Sequence, residues 1–212
     1  MAGTVTTLQV QKKDKERVNV YIDGEYAFGL ALAQAIHLKR GQYLSDALIA
    51  QLQTQDDREQ AYNQALRYLG YRPRSQAEIE RYLAGKRLDE AVIREVVERL
   101  TRAGLLDDAD FARFWVENRQ QFRPRGRMAL RYELRVKGLD EQSISSALGD
   151  VDEEESAYHL ARAQAQKKAN LAPQELRRKL GQYLSRRGFS YSVIETVFRR
   201  IEAEQEEDQA GE

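Results

Sequence analysis

The apolar positions of this 212-residue chain repeat themselves. Between Leu105 and Leu148 the line Leu130, Leu134, Leu139, Ile144 and Leu148 has a counterpart about 51 residues upstream in Ile79, Leu83, Leu88, Ile93 and Val97. About 50 residues downstream it continues as Leu180, Leu184, Phe189, Ile194 and Phe198. A period of this length marks stacked supersecondary units, none of which can bury its apolar face alone. In each copy an apolar residue precedes a capping residue, and an isoleucine stands four positions beyond the cap: Leu88, Asp89, Ile93; Leu139, Asp140, Ile144; Phe189, Ser190, Ile194. That spacing is a hydrophobic staple, in which the cap accepts from free amides of the first turn and the apolar pair sets the entry angle of the chain. Gly138 and Gly188 precede two of the staples, where a helix end in the left-handed region favours glycine. The first copy has Arg87 there, with Gly85 nearby, so its turn is expected to close differently.

Within the copies, Arg58 to Leu69 carries Ala61, Ala65, Leu66 and Leu69 on one face and stops at Gly70. Ser75 with Glu78 forms a capping box for a helix to about Ala84, and Glu90 to Arg102 follows. In the second copy Leu106, Asp107 and Phe111 make a further staple, Phe111 and Trp115 lie one turn apart, and Pro124 is expected to open the next helix. The third copy begins in the acidic run Asp152 to Glu155, well placed at a positive helix end, and Pro173 opens its second helix. The first 45 residues differ. Val18, Val20 and Ile22 alternate up to Asp23-Gly24, and Tyr26 and Phe28 follow, a pattern that predicts a hairpin with a type I′ turn. Thr4 to Val10 alternates likewise and is expected to add a third strand, with helices at Ala31 to His37 and, capped by Ser45, at Asp46 to Gln53.

The fold class is therefore mainly α: three tandem three-helix repeats, solenoid-like, after a small β-hairpin-containing N-terminal domain. The expected divisions are 1–55, 56–104, 105–150 and 151–203, with 204–212 a frayed acidic tail that lacks apolar periodicity.

Composition narrows the chemistry. No apolar run is long enough to span a bilayer, no signal-peptide layout is present, and the absence of cysteine removes disulfides and thiolate sites and favours a cytoplasmic location. Formal charge is zero but unevenly spread. Arg119 to Lys137 holds seven basic residues and one acid, Glu133, and Arg162 to Arg200 holds ten basic residues and two acids. Segregation of this kind points to an anionic partner on one face.

Four blocks, RYLGYRPRSQAEIERYLAGKRLDEAVIREVVERL, GLLDDADFARFWVENR, PRGRMALRYELRVKGLDE and YLSRRGFSYSVI, closely resemble the RecX regulatory family, bacterial modulators of the RecA recombinase. The resemblance runs from about Tyr62 to Ile201. It implies a series of three-helix repeats and a non-enzymatic activity in DNA repair and recombination: binding RecA filaments on single-stranded DNA and restraining them. The hairpin region is similar to the N-terminal extension of some members, and Arg87 and the acidic tail depart from the pattern.

A separate search for chemistry finds no enzyme. His37 and His159 are isolated, and no zincin, Walker A, dinucleotide or nucleophile-elbow motif is present. Asp107, Asp108 and Asp110 sit at a helix start and read as caps rather than a metal site. Phe111 and Trp115 read as core, while Phe114 lies off that face. No cofactor is expected, and a monomer is. The basic pattern remains as the candidate site: Arg72 and Arg74 in one loop, Arg123 and Arg125 in its counterpart, Arg127, Arg131 and Arg135 as a stripe beside Leu130 and Leu134, Lys137 after it, and Arg186 and Arg187 before the third staple. Acids are scarce around the stripe, which leaves it available for binding. On the residues alone two other readings stay open. A stand-alone nucleic-acid-binding repeat protein with about six phosphate contacts gives a log–log salt slope near −4. A peptide-binding helical scaffold has no effect on DNA or filaments.

Overall fold

A computed structural model of the chain describes residues 2–168 and 170–210. Four strands, β1 (Gly3–Val10), β2 (Arg17–Ile22), β3 (Glu25–Ala31) and β4 (Tyr43–Leu44), form an antiparallel sheet in the order β3-β2-β1-β4. Asp23 and Gly24 both take positive φ, 49° and 92°, as a type I′ turn demands. The alternating Val18, Val20 and Ile22 face a core shared with Val5, Phe28, Leu30, Leu44 and Ile49. Between β3 and β4 the expected helix is a single turn, α1 (Leu32–Ala35).

The helix opened by Ser45 does not end near Gln53. It runs on as α2 (Asp46–Leu69), 24 residues without Gly or Pro, so the expected boundary at residue 55 falls inside a helix. What keeps the polar middle of α2 helical is Asp56, 3% exposed. Its carboxylate accepts from Arg17 Nη2 (2.9 Å) and Nη1 (3.3 Å), the Ala31 amide (2.8 Å) and Gln60 Nε2 (2.6 Å). A buried carboxylate with four donors is stable where a bare one is not.

The remaining helices are α3 (Gln76–Ala84), α4 (Glu90–Arg102), α5 (Asp108–Phe122), α6 (Arg127–Val136), α7 (Glu141–Gly149), α8 (Glu153–Gln166), α9 (Pro173–Arg186) and α10 (Tyr191–Ala210). The chain divides into two compact units, Met1–Arg72 with Glu80–Ala103, and Pro73–Ile79 with Gly104–Glu212. In the first, α2 packs against α4, which buries Val92, Ile93, Val96, Val97 and Leu100. In the second, Phe111, Ala112, Val116, Leu130, Leu134, Leu139, Ile144 and Leu148 form the core of α5 to α7. Ala157, Tyr158, Ala161, Leu180, Leu184, Phe189, Ile194, Val197 and Phe198 form that of α8 to α10.

The caps of the three staples form as read. Asp89 accepts from the Ala91 amide (3.0 Å), Asp140 from Ser143 (2.9 Å) and Ser190 from Val193 (3.3 Å). Three expectations need correction. Arg87 adopts φ of +60°, the same left-handed region as Gly138 (+90°) and Gly188 (+84°), so the first copy closes its turn as the others do, at the cost of a side chain in a region disfavoured for L residues. Pro124 does not open α6; Gly126 is its N-cap, and Pro124 lies in the preceding loop. The acidic tail, finally, is helical to Ala210, because Glu204 accepts from the Tyr158 hydroxyl (2.6 Å) and binds Arg200 (3.4 Å), carrying α10 past Ala203. Residues 211–212 of the expected tail lie outside the described residues.

Candidate partner-binding surface

Within the second unit the middle helices of successive copies meet end to end. The C-cap carbonyl of Lys137, after α6, accepts from Ser75 Oγ before α3 (2.7 Å), and the C-cap carbonyl of Arg187, after α9, accepts from the Gly126 amide before α6 (3.0 Å). Both joints are too tight for a side chain. A Cβ on Gly138 would lie 2.3 Å from that of Ala77, one on Gly188 would lie 2.4 Å from that of Ala129, and one on Gly126 would lie 2.2 Å from the Gly188 carbonyl oxygen. At each joint a carbonyl left over by one helix meets a donor at the start of the next.

Around the first joint lies an ion network centred on Trp115. Glu133 accepts from Trp115 Nε1 (2.9 Å) and Arg119 Nε (2.7 Å) and stands 3.8 Å from Arg125. Arg119 and Lys137 place their cations 4.4 and 4.7 Å from the centroid of the indole ring. Lys137 Nζ also binds Glu78 (2.6 Å), which closes the reciprocal capping box with Ser75 and lies 3.9 Å from Arg74. The indole is thus held between cations, with Phe111 stacked at 5.9 Å.

The ten basic residues singled out from sequence therefore have different fates. Arg72 lies in the first unit, half-buried. Arg74, Arg125 and Lys137 belong to the Trp115 network. Arg127, though exposed, donates to the carbonyls at the end of α7, Val151 (2.8 Å) and Gly149 (3.4 Å). Arg187 donates to the Pro124 carbonyl (3.2 Å) and lies over Tyr183. Arg131 and Arg135 do point outward, yet both bind Glu141, at 3.1 and 2.8 Å. Acids are scarce near the stripe only along the sequence; folding brings the first turn of α7 beside α6. Arg123 and Arg186 are exposed and form no ion pair among the described residues. Arg178, not singled out from the sequence, shares that state. With Gln182 and Arg186 it makes an exposed line at every fourth residue of α9. The signal that could have found it is the arginine and lysine excess of the third copy combined with the phase set by Leu180 and Leu184.

Asp107 caps α5, accepting from Ala109 (2.8 Å) and Asp110 (3.0 Å), Asp108 accepts from the Gln76 amide (2.8 Å), and Asp110 binds Arg113. His159 pairs with Glu155 on the surface. Among the described residues no cluster of histidine and carboxylate ligands is placed to hold a metal, and no helix is long and apolar enough to cross a membrane.

Four family models match in chain order: the regulatory protein RecX N-terminal domain over residues 3–45, and the first, second and third RecX three-helix domains over 61–100, 107–148 and 152–198. The chain belongs to the RecX family. The regulatory protein RecX of Bacillus subtilis (strain 168) is 34% identical over 210 residues, 96% of this chain and 79% of its own length. That of Lactobacillus delbrueckii subsp. bulgaricus is 35% identical over 211 residues, covering 97% and 77%. A crystal structure of regulatory protein RecX superposes with a TM-score of 0.72 at 30% identity, over 94% of this chain and all of the other. The RecX structure from Lactobacillus salivarius gives 0.64 at 28% identity over 70% and 98%. The family is one of regulatory proteins, and the hairpin region, read from the sequence as similar to an N-terminal extension of some members, matches the family's own N-terminal domain.

Proposed function

We propose that this RecX-family chain is a non-enzymatic regulator that docks on RecA filaments assembled on single-stranded DNA and restrains filament growth, ATP hydrolysis and strand exchange. The observation that carries the reading is the line Arg178, Gln182 and Arg186 on α9, exposed and without ion pairs among the described residues, with Arg123 exposed in the loop before α6. Guanidinium groups held by no carboxylate are free to take phosphate or acidic protein oxygens, whereas those on Glu141 must first exchange a partner. Arg131 and Arg135 are a reserve in this scheme. Their pairs with Glu141 are exposed, and such pairs are worth at most about 1 kcal/mol. The protein acts as a cytoplasmic monomer without a cofactor.

The test is single-stranded-DNA-dependent ATP hydrolysis by the cognate RecA, titrated with the protein at several salt concentrations while binding to bare DNA is measured in parallel. Inhibition well below the concentration that coats the DNA is expected. Charge reversal of Arg178 and Arg186 together should weaken bare-DNA binding and reduce its log–log salt slope by about 1.4, the value for two lost single-strand phosphate contacts. Silence toward RecA alongside tight, salt-sensitive DNA binding would replace this proposal with a stand-alone nucleic-acid-binding protein.

A further inference from the structure

The outward line of α6 is apolar and exposed. Met128, Tyr132 and Val136 stand four residues apart and are 66, 70 and 54% exposed, while Leu130 and Leu134 of the same helix are fully buried. Single exposed apolar residues are ordinary, but three in one helical line are not. The repeat itself does not require them. At the same phase relative to Leu180 and Leu184, α9 carries Arg178, Gln182 and Arg186, polar throughout. Two copies with the same buried line thus present opposite chemistries outward, joined end to end at Gly188 and Gly126.

We infer that the Met128, Tyr132 and Val136 line is a protein-docking stripe, which seats in an apolar groove rimmed by carboxylates on the recombinase protomer, while the arginines of α9 face the DNA; this rests on the function proposed above. Apolar anchors one turn apart along an exposed helix suit a helix laid in a groove. Methionine, tyrosine and arginine are the residues in which protein interfaces are enriched. The flanking Arg131 and Arg135 both hold Glu141, so two cations share one acid and leave an excess of one positive charge beside the stripe. That excess complements an acidic rim, and the pairs with Glu141 show these guanidinium groups in a geometry that takes carboxylates. A DNA strand fits less well. Met128 and Val136 offer no ring for bases to stack on.

The experiment compares the M128A/Y132A double variant with the wild type and with R178E/R186E. Half-inhibition of RecA ATP hydrolysis should need about tenfold or more of M128A/Y132A, the loss expected for truncating two anchors. Its affinity for a bare oligothymidylate, read by fluorescence anisotropy, should stay within about twofold of wild type, whereas R178E/R186E should lose that affinity. Both substituted side chains are exposed, and circular dichroism checks that the helices persist. Unchanged inhibition by M128A/Y132A overturns the inference and leaves the proposed function intact. A parallel loss of oligothymidylate binding assigns the line to DNA instead. A wild-type protein that leaves RecA untouched refutes the proposed function and the inference with it.

Discussion

Replacing Gly188 by alanine tests the end-to-end joint directly. Two effects add at this position. Its φ of +84° strains any residue with a Cβ, at a cost of about 1 kcal/mol. The new Cβ would also lie 2.4 Å from the Ala129 Cβ and 2.7 Å from the Ala129 backbone nitrogen, so the start of α6 must move, and forced overpacking of this kind costs about 1–3 kcal/mol more. Gly104 in the same unit supplies the control: its φ is +66°, but nothing lies within 4 Å of a Cβ built there. G104A should therefore lose only the first contribution, about 1 kcal/mol, and G188A about 2–4 kcal/mol. Urea unfolding followed by the fluorescence of Trp115, the one tryptophan of the chain, reads the second unit selectively. Gly138 refines the test, because its only close neighbour is the Ala77 Cβ at 2.3 Å, the backbone there being 3.8 Å away. G138A combined with A77G should show a favourable coupling of about 1 kcal/mol, whereas G188A with A129G should show little, since the backbone clash persists. Equal losses in G104A and G188A would refute the claim that close contact at the joint shapes the sequence there.

Arg87→Gly should raise stability by about 0.5–1 kcal/mol, since it relieves the left-handed strain at φ +60°; thermal unfolding should shift up by a few degrees, and a downward shift would mean the side chain compensates elsewhere. Asp56→Ala leaves Arg17 and the Ala31 amide without their carboxylate and should cost about 3–5 kcal/mol, seen as loss of hydrogen-exchange protection in β2, β3 and the middle of α2. The Asp140 carboxyl is held below its ordinary pKa, first by the Ser143 amide donating to it and then by the Ser143 hydroxyl. Its contribution to α7 is therefore complete at neutral pH and fades as pH falls through that lowered value. Carboxyl titration by NMR should place Asp140 below an unstructured aspartate, and D140N should remove that part of the acid dependence.

Local rules carried most of the fold. Staples, the capping box at Ser75 and the Asp23-Gly24 turn depend on residues within a few positions of one another, and each formed as its spacing indicated. Errors arose where a distant group decides. Thr54 to Asp57 reads as a break until Arg17, Ala31 and Gln60 are placed around Asp56, and then it is the best-anchored turn of α2. Pro124 has the conformation to begin a helix, but the start of α6 is set by Gly126 because only glycine can approach Gly188. The site was the least legible part. Whether an arginine is available depends on which carboxylate folds against it, and Glu141, Glu133 and Glu78 reach their partners from other helices or from far along the chain. Periodicity located the cations; it could not tell Arg135, which is bound to Glu141, from Arg178, which forms no ion pair within 4 Å among the described residues.

The unbroken course of α2 has a consequence for how such chains can vary in length. Because one rigid rod carries Ile49 beneath the N-terminal sheet and Ala61 and Ala65 beneath α4, the angular phase between those contacts is fixed by residue count. Adding or removing a single residue between Gln55 and Gln60 would rotate one set against the other by about 100° and slide it by about 1.5 Å, whereas seven residues, close to two full turns, would nearly restore the phase. Length changes in this stretch should therefore be tolerated in helical multiples and not singly, the opposite of what a flexible interdomain tether would permit.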